Sequence, residues 1–350
     1  MSGSRALLFQ SEEGMQQNRF QQLRRFVLIG TILAGAVFGA WSCRGGYSGK
    51  TESITIGTLP YEGSALIYIA EEQKLFKANG LDITIKDYET GLATTDALNK
   101  GEVDVAACAE FIIVGKAFHK EKILDIATIA KNLNELIIGR TDKGIKTFTD
   151  LKGKKVGVPR KTVAEFYLGR FLDLNGMSIK EITLVDLLPS QLQDALAHGD
   201  VDAVIVWQPW ASRIEKQVPN DKVVWPAQSN QLLYWNIIGI DTWVANHPEL
   251  IKRLLTSLIQ AEEYLARHPV EAKAIVQTRL KYDDTYMAKV WSQQQSSLTL
   301  DQSLILAMED EARWMIKNNL TSEKTIPDFV NYIYVDGLKA VKPEAVNIIR

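Results

Sequence analysis

Apolar and polar positions change period repeatedly over residues 53–107. Residues 53–57 alternate as a half-buried strand does, and residues 65–78 set Leu66, Ile69, Ala70 and Leu75 at helical spacing before Asn79-Gly80 ends the run. Residues 81–88 return to a strand, 94–100 read as a short helix ended by Gly101, and 103–107 as a buried apolar strand. The same order recurs as strands at 155–158, 182–187 and 201–206 separated by helices at 163–174 and 191–198, which stop at Asn175-Gly176 and Gly199. Each half therefore reads βαβαβ, an alternation that implies mostly parallel sheets flanked by helices.

The halves also echo one another in letters. ALNKGEVDV at 97–105 returns as ALAHGDVDA at 195–203, an offset of 98, and the two Asn-Gly stops lie 96 apart. So long a period suits a duplicated lobe rather than a solenoid, and the space between the copies is the natural place for a site. The extended segments NLNELIIGR (132–140) and QLLYWNIIGI (231–240) carry the chain out to the second copy and back, which makes a two-crossing hinge. Helices expected at 248–267, 270–281, 285–296 and 302–319 pack around the first lobe. The expected organisation is an α/β chain with lobe 1 at 53–138 and 236–350 and lobe 2 at 139–235.

With 350 residues, 46% hydrophobic and 23% charged, the chain is long enough for two cores. A net charge of −2 gives no reason to expect nucleic acid as a partner. The first residues differ from the rest. Arg19, Arg24 and Arg25 precede an uncharged run of 16 residues from Phe26 to Trp41, followed by Ser42, Cys43 and a flexible linker at 44–52. That is the layout of a secretory signal, and the run falls short of the ~20 residues that span a bilayer. Residues 1–43 resemble a lipoprotein signal with Cys43 as the lipidated residue; Ala40 and Ser42 fit its small-residue box and Trp41 departs from it. An ordinary cleaved signal and an uncleaved anchor are the alternatives, and all three export the remainder. The long leading segment leaves Met15 as an alternative start. Cys108 reads as a small buried hydrophobe.

Ligands of such sheets sit beyond the carboxyl ends of the strands, where the first turns of the following helices gather. The candidate contacts there are Gly63 and Ser64, Gly91, Leu92 and Thr94, and Arg160, Lys161 and Thr162. Helix amino-termini attract anions weakly, and Arg160 adds a planar fork, so several converging on one oxyanion would reach micromolar affinity. Taken singly, Ser64, Thr94 and Ser190 are more simply helix caps. Trp207, at the end of the second lobe's third strand, Tyr61, and Tyr234-Trp235 on the return crossing supply an aromatic wall, which excludes water and holds an ammonium group by cation–π attraction. Glu110 is placed near the cleft mouth, facing either an amine of the ligand or Arg160.

Several phrases carry a family resemblance: GTLPYEGSALIYIAEEQKLFKANGLDI, ALNKGEVDV, DLKGKKVGVPRKT, VDAVIVWQPW and EARWMIKNNLTSEKTIPDFVNYIYVDGLKAVKP. Over residues 52–345 the chain is similar to the solute-binding lipoproteins of nitrate, sulfonate and taurine ABC importers. The resemblance implies the type 2 periplasmic-binding fold, with two lobes closing over one small anion or zwitterion. It further implies a monomer that delivers the ligand to a permease with a cytoplasmic ATPase, with no catalysis and no cofactor. A pyrimidine-like ligand, a sensor that does not transport, and a pyrimidine-synthase-like enzyme are the alternatives. Against the enzyme, His119, His198, His247 and His268 have no spacing that suits a metal, and no GxSxG or P-loop occurs.

Overall fold

A computed structural model describes residues 48–218 and 222–349; the signal segment and Cys43 lie outside the described residues. In the first lobe, β1 (Glu52–Thr58) leads to α1 (Ala65–Glu72) and α2 (Leu75–Ala78), then β2 (Leu81–Asp87), α3 (Gly91–Asn99), β3 (Val105–Ala109), α4 (Glu110–Phe118) and β4 (Ile123–Asn132). The single helix expected at 65–78 is two, because Lys74 between them adopts a left-handed conformation with φ 57°. Helix α3 starts three residues earlier than its apolar spacing suggests, since the Thr90 side chain accepts a hydrogen bond from the Ala93 N–H and caps it.

In the second lobe β5 (Glu135–Arg140) is followed by β6 (Lys155–Val158), α5 (Val163–Leu174), β7 (Thr183–Asp186), α6 (Pro189–His198), β8 (Ala203–Trp207), α7 (Trp210–Gln217) and β9 (Lys222–Pro226). The chain returns through β10 (Leu233–Ile240) into α8 (Asp241–Asn246), α9 (Pro248–Arg267), α10 (Pro269–Leu280), α11 (Asp284–Trp291), β11 (Gln294–Gln295), α12 (Gln302–Lys317) and α13 (Val335–Val341). Helix α9 buries Leu250, Leu254 and Leu258, one stripe at helical spacing, and packs on α1 in the first lobe.

Two sheets result, ordered β11-β4-β10-β3-β1-β2 and β7-β6-β8-β5-β9. Their cores match: β2-β1-β3 and β7-β6-β8 are parallel, and each third strand is flanked by an antiparallel strand, β10 in the first sheet and β5 in the second. The two antiparallel strands are the crossings. The second sheet therefore opens at Glu135 and ends at Pro226, ahead of the expected 139–235, because both crossing segments pair with the lobe they enter. Gln228 clasps the crossings together. Its Oε1 accepts from the Glu135 N–H at 2.9 Å, and its Nε2 donates to the carbonyls of Asn132 and Gln231 at 3.0 Å each.

Helix α5 of the second lobe lies against α4 and α12 of the first. Phe166 stacks on Phe111 at 5.9 Å and meets Trp314 edge-on at 5.5 Å. The contact needs a bare backbone at Gly169, where a Cβ would come within 2.2 Å of the Trp314 ring. Exposed ion pairs, Lys216 with Asp283 and Lys289 with Glu215, bridge the lobes elsewhere and add little in water. Gly169→Val is expected to cost about 1–3 kcal/mol by overpacking. A thermal melt checks it: a loss of several degrees is predicted, and an unchanged melting temperature would show that Trp314 has room to move aside.

Candidate functional site

Strand ends and crossing starts meet between the lobes and enclose a small cavity of about 30 Å³. The first lobe contributes Leu59 and Tyr61 after β1, Gly91 at the start of α3, and Ala109 and Ile112 around the start of α4. The second contributes Thr162 and Val163 at the start of α5, and Trp207 at the end of β8. The crossings supply the remainder: Asn134 and Glu135 from the first, Leu233 and Trp235 from the second. The space is narrow, since the Tyr61 and Trp235 rings meet edge to face at 4.9 Å. Tyr61 can curl inward because Gly63 lies under its ring: a Cβ there would sit 2.1 Å from the phenolic oxygen. An open mouth of about 310 Å³ adjoins, lined by Asp87, Tyr88 and Glu89 from one lobe and by Ser190, Trp210 and Arg213 from the other.

Of the residues singled out in the sequence, the structure brings Tyr61, Gly91, Thr162, Trp207 and Trp235 together around the cavity. The others stand behind or beside it. Ser64 is buried, with its hydroxyl 2.7 Å from that of Thr58 and donating to the Leu59 carbonyl. Thr94 donates to the carbonyls of Gly91 and Ala107, which turns it toward the sheet, and Leu92 packs on the core. Arg160 places Nε 2.7 Å from Oε1 of Glu165, and the Lys161 backbone N–H donates to the other oxygen of that carboxylate. Thr162 gives its hydroxyl proton to the Pro159 carbonyl. Glu110 accepts from the Tyr234 N–H at 3.0 Å, and the Lys131 ammonium lies over the Tyr234 ring.

Arg160, the Lys161 N–H and the hydroxyls of Ser64, Thr94 and Thr162 thus have partners inside the protein, whereas the buried Tyr61 hydroxyl and Trp235 Nε1 have none. At the amino-terminus of α6, the Ser190 N–H donates to Oε1 of Glu89 at 2.6 Å, a bond that joins the second lobe to the first. Glu165 takes the corresponding place at the start of α5.

Sequence reading passes over Glu135. It is the one acid in NLNELIIGR, and the register of β5 sets it opposite Trp207, at the carboxyl edge of β8. Its side chain is buried, and neither carboxylate oxygen has a hydrogen-bond partner; Oδ1 of neighbouring Asn134 also lacks one. Burial, reinforced by nearby Glu110, pushes the Glu135 carboxyl up to about 8. Burial likewise raises Glu110 to about 8 and Glu62 to about 7, and it raises the neighbouring buried Glu311 as well. Among the described residues no group of His, Cys, Asp and Glu is arranged to hold a metal ion.

Acids whose folded pKa exceeds the ordinary 4.5 stabilise the fold in their protonated form, fully below that value and progressively less as pH rises toward about 8. The exposed acids Asp142, Asp150 and Glu181 shift the other way, so their effect is confined to pH below the usual carboxylate range. The melting temperature is therefore expected to fall from about pH 5 to about pH 9, and Glu135→Gln to flatten that slope. A slope that rises, or is unchanged in the variant, would contradict the burial of these acids.

Comparison with known proteins bears on this arrangement. A protein of Brucella abortus (strain 2308) named as a binding protein is 28% identical over 227 residues, covering 64% of this chain and 70% of that protein. The taurine-binding periplasmic protein of Escherichia coli (strain K12) is 25% identical over 254 residues, covering 69% and 74%. Among solved structures, the alkanesulfonate-binding protein SsuA from Xanthomonas axonopodis pv. citri, bound to MOPS, superposes with a TM-score of 0.71 at 18% identity, over 82% of this chain and 99% of that one. The two share the periplasmic-binding fold. The family model described as NMT1/THI5 like matches residues 62–272, from the loop that carries Tyr61 through both crossings, and the chain belongs to that family.

Proposed function

We propose that the protein is the extracytoplasmic solute-binding component of an ABC importer, which holds one small organic anion or zwitterion between its lobes and passes it unaltered to a permease. The observation that carries this reading is the cavity itself: it lies at the carboxyl edges of the parallel strands of two mixed sheets, is walled by Tyr61, Trp207 and Trp235, and takes residues from both lobes and both crossings. The names of the relatives, which include taurine and aliphatic sulfonates, indicate the class of solute. Part of the proposal is that the chain works as a monomer tethered through lipid on Cys43 after removal of residues 1–42. Mass spectrometry of the mature protein reads that modification directly.

Isothermal titration of the purified protein with taurine, alkanesulfonates and nitrate tests the binding, and uptake by cells with and without the gene tests the import. Trp207→Ala is expected to weaken binding at least tenfold, about 1.4 kcal/mol, because it removes a cavity wall. Arg160→Ala is expected to change affinity less than about threefold, its guanidinium being engaged by Glu165. The opposite order would place the ligand on the Arg160 loop rather than between the aromatic rings.

A further inference from the structure

We propose that the cavity selects ligands bearing a cationic nitrogen, with the Glu135 carboxylate as its counter-ion and Tyr61, Trp207 and Trp235 as the surrounding cage. The inference rests on the solute-binding reading above and revises its ligand class: zwitterions and cations that bear a charged nitrogen are accepted, and sulfonates or nitrate without an amine are refused.

Three observations converge. First, among the described residues lining the cavity, Glu135 alone has a charge-bearing side chain, and no Lys, Arg or His is present. An oxyanion placed there would meet no cation, and once Glu135 is ionised it would meet a second negative charge, at a cost that rises as water is excluded. Second, Glu135 is 2% exposed and both its oxygens lack partners, whereas its backbone is fixed on both sides. Its N–H donates to Gln228, and its carbonyl accepts from the Ala227 N–H at 3.0 Å. A side chain held at a defined place with its acceptors unused is built to receive donors from outside the chain. Third, the remaining walls are faces and edges of three aromatic rings, whose quadrupoles attract ammonium and amidinium groups most strongly where water is absent.

The charged and helix-start donors beside the cavity are engaged elsewhere, which leaves the Tyr61 hydroxyl and the Trp235 Nε1–H as neutral donors without partners. Glu165 occupies Arg160 and the Lys161 N–H, and Glu89 occupies the Ser190 N–H. Glu110, the acid expected to meet an amine, accepts from Tyr234 and is absent from the lining. The acid available to a ligand is Glu135.

The test is calorimetric titration of the protein, and of its Glu135→Gln variant, with pairs of compounds that differ in the charge on nitrogen: taurine and isethionate, choline and 3,3-dimethylbutanol, benzamidine and benzamide, with nitrate as the small anion. Glu135→Gln keeps the shape and relieves an unpartnered buried acid, so it is expected to fold; a melting curve verifies this. The expected result is that a cationic member binds at least tenfold more tightly than its neutral partner, and that the variant abolishes this preference. Isethionate or nitrate binding as well as taurine, with the loss of affinity in Trp207→Ala intact, would overturn this inference and leave the solute-binding reading standing. Equal preference in wild type and Glu135→Gln would also overturn it. Failure of every compound to bind would count against both.

Discussion

The site depends on one constraint of chain direction. Each lobe completes its parallel strands and then accepts an antiparallel strand that belongs to a crossing, β5 beside β8 and β10 beside β3. An antiparallel neighbour begins where its partner ends, so the first residues of both crossings fall at the carboxyl edges of the sheets. Glu135 thereby faces Trp207 across one ladder, and Trp235 faces Ala109 across the other. The hinge and the binding surface are consequently the same residues. Gln228, with its three hydrogen bonds to the crossings, holds the base on which the cavity is set.

Electrostatics then decides what the cavity can admit. Removing a carboxylate from water costs several kcal/mol unless a charge or donor compensates, and the protein answers in two ways. Glu165 is paired with Arg160 and a backbone N–H, and Glu89 is paired with the start of α6. Glu110, Glu311 and Glu135 instead have their pKa values raised by burial, which favours the neutral form until a cation or donor offsets the charge. Glu110 accepts from the Tyr234 N–H, and it and Glu311 lie outside the cavity lining; Glu135 lines the cavity with nothing to bond. A ligand that brings a donor to Glu135 removes a penalty already present in the fold.

Much of this was legible in the letters. The 98-residue echo and the two Asn-Gly stops reported two like lobes, and the apolar crossings reported a hinge, because repeat and periodicity depend on local pattern. Tyr61, Trp207 and Trp235 were legible as walls because they lie at or close to strand ends. Thr94 and Ser64 were not resolved as inward-facing, since a cap, a sheet contact and a ligand contact draw on the same hydroxyl. The engagement of Arg160 by Glu165 joins residues five positions apart and was open to sequence reading; the capture of Ser190 by Glu89 joins residues 101 positions apart and was not. Glu135 was hidden for another reason. Its position at the sheet edge follows from the antiparallel register of a crossing, which periodicity does not reveal.

A crystal structure of the protein with a bound amine-bearing solute tests the central claim most directly. The account predicts density between Tyr61 and Trp235, its nitrogen within hydrogen-bonding distance of Glu135 and both lobes in contact with the solute. Density confined to the open mouth beside Arg213, or to the surface groove around Lys120 and Asp328, would contradict it.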